Sequence, residues 1–530
     1  MRPSLPAALG TLLWTAHVGW SSPATAEEPV GPTDHRPTVE DPLRLIVHNP
    51  TGRAAPSEDC DVDLCASLLE LIIRAEKSID FAVYGMRGQP AILKALFDAK
   101  ARGVRVRGVV DRTIDGQNYY TDTERLVEGL GTVRDDLRVD QLKAPTVQPY
   151  DPTTSKCYLP APDGFTGPKQ CLGYDLGDRC IVSVHASREP LGFEGDIMHN
   201  KYVVVDGQYV WMGSTNVSDS GTGGYNANLV GVVNHREVAS WYTREFEQMW
   251  AQDRFHDAKI ASTGARAEIA PGLVVEGWFS PQDKPMTYGV RPLLKAAEQR
   301  IDVGIFFLTH KGVTKDLIEA HRRGVKVRII MDATAAKNGY AKHELVRASG
   351  IPVKIEDWGG KMHMKAAAID GRTVIAGSMN WTSAGEGGND ENTLIIHSAR
   401  HAEQFHRAFD AMWADIPDRW LEGRPDPESR DSRTACTDGS DNDFDKRRDD
   451  DDPGCSDEPP PLPELPPFTV VPKGEGHMLV KGNISSSGRK TYHVPGQKFY
   501  EQVKIDPTKG EAYFCSEQDA KAAGFWRSTK

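Results

Sequence analysis

At 530 residues the chain is too long for one hydrophobic core, so two or more large units are expected. The formal charge of −12 is uneven: Cys436 to Glu458 carries ten acids against Lys446, Arg447 and Arg448, and the remainder is mildly acidic. That excludes a broad basic surface for duplex DNA and leaves room for a local basic cleft.

Residues 1–26 combine Arg2, an apolar run from Leu5 to Trp20 and Ala24-Thr25-Ala26. This is the pattern of a secretory signal with its small-residue cleavage site, and it places the mature protein in the periplasm or outside the cell. No later stretch reaches about 18 consecutive apolar residues, so the mature chain is expected to have no transmembrane segment. Residues 27–42 are polar and proline-bearing and read as a linker.

A short strand follows at Leu43–Val47, then a helical pattern near Leu64–Ala75 and a strand at Ser78–Tyr84. Next come a helix over Pro90–Ala101 and a strand over Val104–Asp111. Strands alternating with helices of this length predict a largely parallel, layered sheet. The order then repeats. Ala75-Glu76-Lys77-Ser78-Ile79-Asp80 is echoed by Ala297-Glu298-Gln299-Arg300-Ile301-Asp302, and Arg102-Gly103-Val104-Arg105-Val106-Arg107 by Arg323-Gly324-Val325-Lys326-Val327-Arg328. Each copy reaches an Asp, at Asp111 and Asp332, and closes on a helix, with Phe246-Glu247-Gln248-Met249-Trp250 matching Phe409-Asp410-Ala411-Met412-Trp413. Residues 43–253 and 272–415 are therefore two versions of one unit, and a two-lobed body about a pseudo-twofold axis is the simplest arrangement.

The copies differ in length. Asp111 to His199 spans 88 residues and Asp332 to His363 spans 31, so the first copy carries an insertion of 57 residues within about 112–190. It is expected to be either a disulfide-tied wall over the site or a passive excursion. Eight cysteines in an exported chain favour disulfides. Cys60 with Cys65 and Cys436 with Cys455 are the expected pairs. Cys157, Cys171 and Cys180 leave an odd member that Cys515 could join.

The functional pattern lies inside the repeat. His199-Asn200-Lys201 opens an apolar run that ends in Asp206-Gly207, and Gly213-Ser214-Thr215-Asn216 follows. The second copy reads His363-Met364-Lys365, Asp370-Gly371 and Gly377-Ser378-Met379-Asn380 at the same offsets. An apolar run, Asp-Gly and a second apolar run predict a hairpin. The two-residue period of a strand fixes each imidazole and ammonium on one face. A single His on an apolar strand is more often core, but two buried ammonium groups without an anion would be costly. This set of donors suits a phosphate.

These paired H-x-K-x4-D and G-S-x-N elements resemble the phospholipase D superfamily across residues 43–415. The resemblance implies two homologous α/β sandwich lobes with one active site at their interface. It implies His199, Lys201, Asn216, His363, Lys365 and Asn380 as catalytic, with Lys201, Ser214, Asn216, Lys365, Ser378 and Asn380 around the phosphate. Ser214 and Ser378 are equally readable as bracing for the return strand. The family pattern suggests His199 as nucleophile and His363 as general acid, forming a phosphohistidine with no cofactor required, although internal symmetry leaves that assignment open. Asp206 and Asp370 complete the motif, with turn closure favoured over direct chemistry.

Glu391, in Gly387-Gly388-Asn389-Asp390-Glu391-Asn392, matches the family's carboxylate that orients a catalytic imidazole. Aligned on the paired glycines, Gly223-Gly224-Tyr225-Asn226-Ala227-Asn228 puts Ala227 opposite it and leaves Asn226 or Asn228 as the other partner. The resemblance implies cleavage of a phospholipid head-group phosphodiester at a membrane surface, with a metal-independent endonuclease acting on nucleic acid as the alternative. Phosphatidyl transfer and a catalytically dead binding protein are weaker readings.

Between 416 and 467 lie an acidic run and a proline-rich linker. Asp438, Asp441, Asp443 and Asp445, at near-alternate spacing, resemble the calcium-binding Asp-rich repeats of secreted bacterial proteins, against the alternative of a solvated spacer. Residues 468–530 resemble the small C-terminal module appended to bacterial secreted nucleases, and from Lys473 on they carry ten Lys and Arg against six acids.

Overall fold

The computed structural model describes residues 40–149, 192–261 and 265–456, together with three strands of the insertion. In the C-terminal module it describes 470–471, 480–485, 488–494, 496–503, 505, 511–514 and 517–528. The expected signal, most of the first linker and the proline-rich stretch lie outside the described residues, as do the side chains of Cys157, Cys171, Cys180 and Cys515.

The first lobe is built on a seven-stranded sheet. Its spatial order is Leu43–His48, Asn228–Asn234, Tyr209–Gly213, Lys201–Val205, Ser78–Val83, Arg105–Val110 and Val133–Asp135. The second lobe repeats this order with Leu273–Ser280, Glu391–His397, Thr373–Gly377, Lys365–Ile369, Arg300–Ile305, Lys326–Met331 and Val353–Ile355, and Ala265–Ala270 adds an eighth strand at one edge. The sheets are mixed and not largely parallel, because only the last three strands of each series run parallel. Asp-Gly hairpins and short returns join the other strands, and such connections are too short for a parallel crossover.

Alternation along the strands sorts the core. In the strand Lys201–Val205, Tyr202 and Val204 enter a core shared by both lobes, while Val203 and Val205 enter a core private to the first. Ala366 and Ala368 join the same shared core, while Ala367 and Ile369 face a core private to the second lobe. The helices Arg236–Trp250 and Ala399–Asp415 fill the shared core through Trp241, Phe246, Phe405 and Phe409. Their matched sequences have a physical basis. Arg107 pairs with Asp80 and Glu247 and lies over Phe246 and Trp250, and Arg328 pairs with Asp302 and Asp410 and lies over Phe409 and Trp413.

The insertion contributes Tyr158–Leu159, Lys169–Tyr174 and Cys180–Val184 to an antiparallel four-stranded sheet completed by Val470–Val471, and two of these strands lie against the helix His343–Ala348 of the second lobe. Disulfides join Cys60 to Cys65 and Cys436 to Cys455. The C-terminal module has its own small core of Val480, Tyr492, Val494, Phe514, Ala520 and Phe525. Among the described residues no helix is long and apolar enough to cross a membrane.

Candidate active site

Each His-Lys strand is anchored on the opposite lobe. The His199 amide donates to the Asp390 carbonyl at 3.0 Å, and the His363 amide donates to the Ala227 carbonyl at 2.9 Å. These crossings place the two imidazoles in one shared environment, in which His199 and Lys201 both depress the proton affinity of His363.

The imidazoles are held by different partners. His199 Nδ1 lies 2.8 and 2.9 Å from the two oxygens of Glu391. His363 Nδ1 lies 3.2 Å from the side-chain oxygen of Asn228. Asn228 opens the strand Asn228–Asn234 just as Glu391 opens Glu391–His397, so these two are the equivalent positions, and Ala227 corresponds to Asp390. Alignment on the glycines is off by one because the first copy has one more residue between Gly213 and its strand than the second has after Gly377.

Lys201 and Lys365 are fully buried, donating to the carbonyls of His199 at 2.8 Å and His363 at 2.7 Å. Burial, together with the neighbouring ammonium groups, lowers the proton affinity of both histidines well below the usual imidazole range. Burial also brings Lys201 down to about 7, pushes Lys365 well below its normal value with help from Lys201, and raises the Glu391 carboxyl to about 8. Four basic groups are thus crowded into a dry site beside one carboxyl. An incoming anion would relieve the repulsion and restore their protons.

Asn216 and Asn380 each keep a buried side-chain oxygen without a hydrogen-bond partner. Of the two readings open for Ser214 and Ser378, the hydroxyls take the bracing one. Ser214 Oγ donates to Asn228 at 2.8 Å and Ser378 Oγ donates to Glu391 at 2.6 Å, while each accepts a backbone amide from its neighbouring strand. Their hydroxyls are saturated behind the imidazoles, where they fix the orienting residues.

Asp206 and Asp370 lie at the far ends of their strands, roughly 20 Å of extended chain from the histidines. Each adopts a left-handed backbone, φ 55° and 53°, and accepts three successive amides, Glu76 to Ser78 and Glu298 to Arg300 respectively. They close turns and do not reach the reacting centre.

Tyr84 and Phe306 were missing from the sequence reading. Their rings lie 5.6 and 5.1 Å from the imidazoles of His199 and His363, and 5.6 and 4.8 Å from the ammonium groups of Lys201 and Lys365. The signal was present in the repeat, since both stand nine residues after the matched Ala75 and Ala297.

In the acidic loop, Asp441, Asp443 and Asp445 bring oxygens within 4.8 Å of one another. Asp438 does not join them as expected, because it accepts the Tyr225 hydroxyl and the Asn442 amide.

A family model described as cardiolipin synthase, PLD-like domain, matches residues 68–250 and 290–413, more than half of the chain. The chain belongs to the phospholipase D superfamily. Its activity is accordingly phosphodiester hydrolysis of the phospholipase D type. A mitochondrial cardiolipin hydrolase of Chlamydomonas reinhardtii is 32% identical over 183 residues, covering 29% of this chain and 82% of that protein. A phospholipase D of Rickettsia conorii is 40% identical over 110 residues, covering 21% of this chain and 54% of the relative. The crystal structure of the phospholipase D family member Nuc from Salmonella typhimurium matches 27% of this chain and 97% of its own, at 26% identity and a TM-score of 0.26.

Proposed function

We propose that this is an exported phospholipase D that hydrolyses the head-group phosphodiester of a phospholipid through a phosphohistidine on His199. The observation that carries the mechanism is the asymmetry of the imidazole partners, a carboxyl for His199 and a neutral amide for His363.

With Nδ1–H directed to Glu391, the Nε2 lone pair of His199 attacks phosphorus. The new N–P bond makes the ring cationic, and the Glu391 carboxylate offsets that charge. His363, braced by an amide that cannot neutralise an imidazolium, is the stronger acid and protonates the leaving alkoxide as its bond to phosphorus breaks. It then removes a proton from water, which attacks phosphorus, breaks the N–P bond and returns His199. Lys201 and Lys365, with the amides of Asn216 and Asn380, stabilise the phosphoryl oxygens. No step passes through a metal ion.

The names of the two relatives, a cardiolipin hydrolase and a phospholipase D, support a lipid substrate. The two disulfides support an oxidising compartment. The convergence of Asp441, Asp443 and Asp445 supports a structural calcium ion in the acidic loop, tested by calorimetry of the full chain against an Asp441→Asn variant.

The substrate test incubates the protein, after brief exposure to EDTA, with cardiolipin or phosphatidylcholine vesicles and separately with single- and double-stranded DNA, beside His199→Ala. Head-group release from lipid, lost in the variant, is the expected result. Cleavage of DNA with lipid untouched would replace this reading by a nuclease, and binding of either without turnover by a binding protein.

A further inference from the structure

A second constellation of buried ionisable groups lies outside the phosphate site. Asp136, Asp140 and His256 are all buried, and each offers a ligand atom within 4.8 Å of the others. His256 Nε2 stands 3.4 Å from Asp136 Oδ2 and 3.4 Å from Asp140 Oδ1. These separations are longer than a good N–H···O hydrogen bond. They equal the edge, about 3.4 Å, of a tetrahedron whose centre lies about 2.1 Å from each corner, the bond length of zinc to imidazole and carboxylate. Neither ring nitrogen of His256 and neither carboxylate oxygen of Asp140 completes a hydrogen bond.

The far side of the ring has the partner a ligating histidine requires. Asp390 Oδ2 lies 3.2 Å from His256 Nδ1, while Asp390 Oδ1 accepts the His256 amide and faces Lys259. A proton on Nδ1 directed at Asp390 leaves the Nε2 lone pair pointing between Asp136 and Asp140. The His256 backbone is left-handed at φ 54°, which sets the ring against these three acids.

The second lobe shows what is missing in the first. Asp332 and Glu356 are the counterparts of Asp111 and Asp136, and the Lys361 ammonium, two residues before His363, offsets their charge. At the matching position before His199 stands Ile197. The first lobe therefore lacks that lysine and adds Asp140, while Asp390 reaches the cluster from the second lobe.

We propose that Asp136, Asp140 and His256 bind a zinc-class divalent cation, with Asp390 positioning the histidine. The ion has a structural role. Met198, the residue before His199, donates its amide to Asp111 and Asp136, and the Asp390 carbonyl receives the His199 amide, so the site clamps the backbone that carries the nucleophile.

The test is elemental analysis of the full chain purified without chelator, loaded with zinc and desalted, against His256→Gln and Asp140→Asn, with Asp441→Asn and Asp443→Asn controlling for the acidic loop. One tightly held equivalent should survive in the wild type and the acidic-loop variants, and both site variants should bind zinc at least tenfold more weakly. Prolonged dialysis against a strong chelator should lower the wild-type Tm, with recovery on adding zinc. As a check on folding, cobalt in place of zinc should give visible absorption bands that Asp140→Asn alters while leaving far-UV circular dichroism unchanged. A wild type that holds no stoichiometric zinc, or an Asp140→Asn variant that holds as much as the wild type, would overturn the proposal and leave a metal-free imidazolium cluster.

Discussion

The two imidazoles each face an oxygen, and the difference lies in its charge, a carboxylate oxygen of Glu391 against a neutral amide oxygen of Asn228. Glu391→Gln keeps the hydrogen bond but removes the charge that offsets the phosphohistidine, so kcat should fall by about a hundredfold, about 2.7 kcal/mol, with KM little changed. Asn228→Asp does the converse, placing a carboxylate against His363 and raising its proton affinity. Because His363 serves as the acid, the alkaline limb of the kcat/KM profile should move to higher pH, and a limb that stays in place would reassign the acid. The His, Lys and Asn positions were legible in the sequence because chemistry fixes both residue type and spacing. Asn228 was legible only as one of two candidates, since one extra residue in a turn is invisible until strands set the register. For Ser214 and Ser378 the sequence left phosphate contact and bracing of the return strand equally open, because a hydroxyl beside a motif does not reveal which way it donates.

At the level of elements, the Asp-Gly hairpins show structure and chemistry sharing one motif. Asp206 stays outside the active site, yet its carboxylate collects three amides while its own backbone is left-handed. Asp206→Ala should cost about 2 kcal/mol through those lost bonds and the strained φ. It should lower Tm by a few degrees and leave kcat unchanged, whereas a large loss of kcat at full stability would return Asp206 to the chemistry. Repeated elements were readable from matched words such as Phe246-Glu247-Gln248-Met249-Trp250 because each word builds one Arg–Asp–aromatic stack. Strand direction was less readable. The first strands and helices alternate as in a parallel fold, and only the hairpins further along the chain reverse that pattern.

Across the whole molecule, the distribution of cores decides how it unfolds. The shared core takes side chains from both sheets and from the last helix of each lobe, so neither lobe can open without exposing it. Calorimetry should therefore show one cooperative transition for both lobes and a separate small one for the C-terminal module, whose core shares no residue with theirs. Removing residues 472–530 should abolish the small transition alone. Sulfate, a phosphate-like dianion whose charge is constant between pH 6 and pH 8, should raise the Tm of the large transition, because it binds the folded site and not the unfolded chain. The sign of its pH dependence follows from Lys201, which burial brings down to about 7 in the free site. The anion favours the ammonium form, so its affinity is greatest below pH 7 and falls as the pH rises through that value. A given sulfate concentration should stabilise the protein more at pH 6 than at pH 8. Lys201→Met should flatten that difference, and an equal shift at both pH values in the wild type would place the anion somewhere other than between the two lysines.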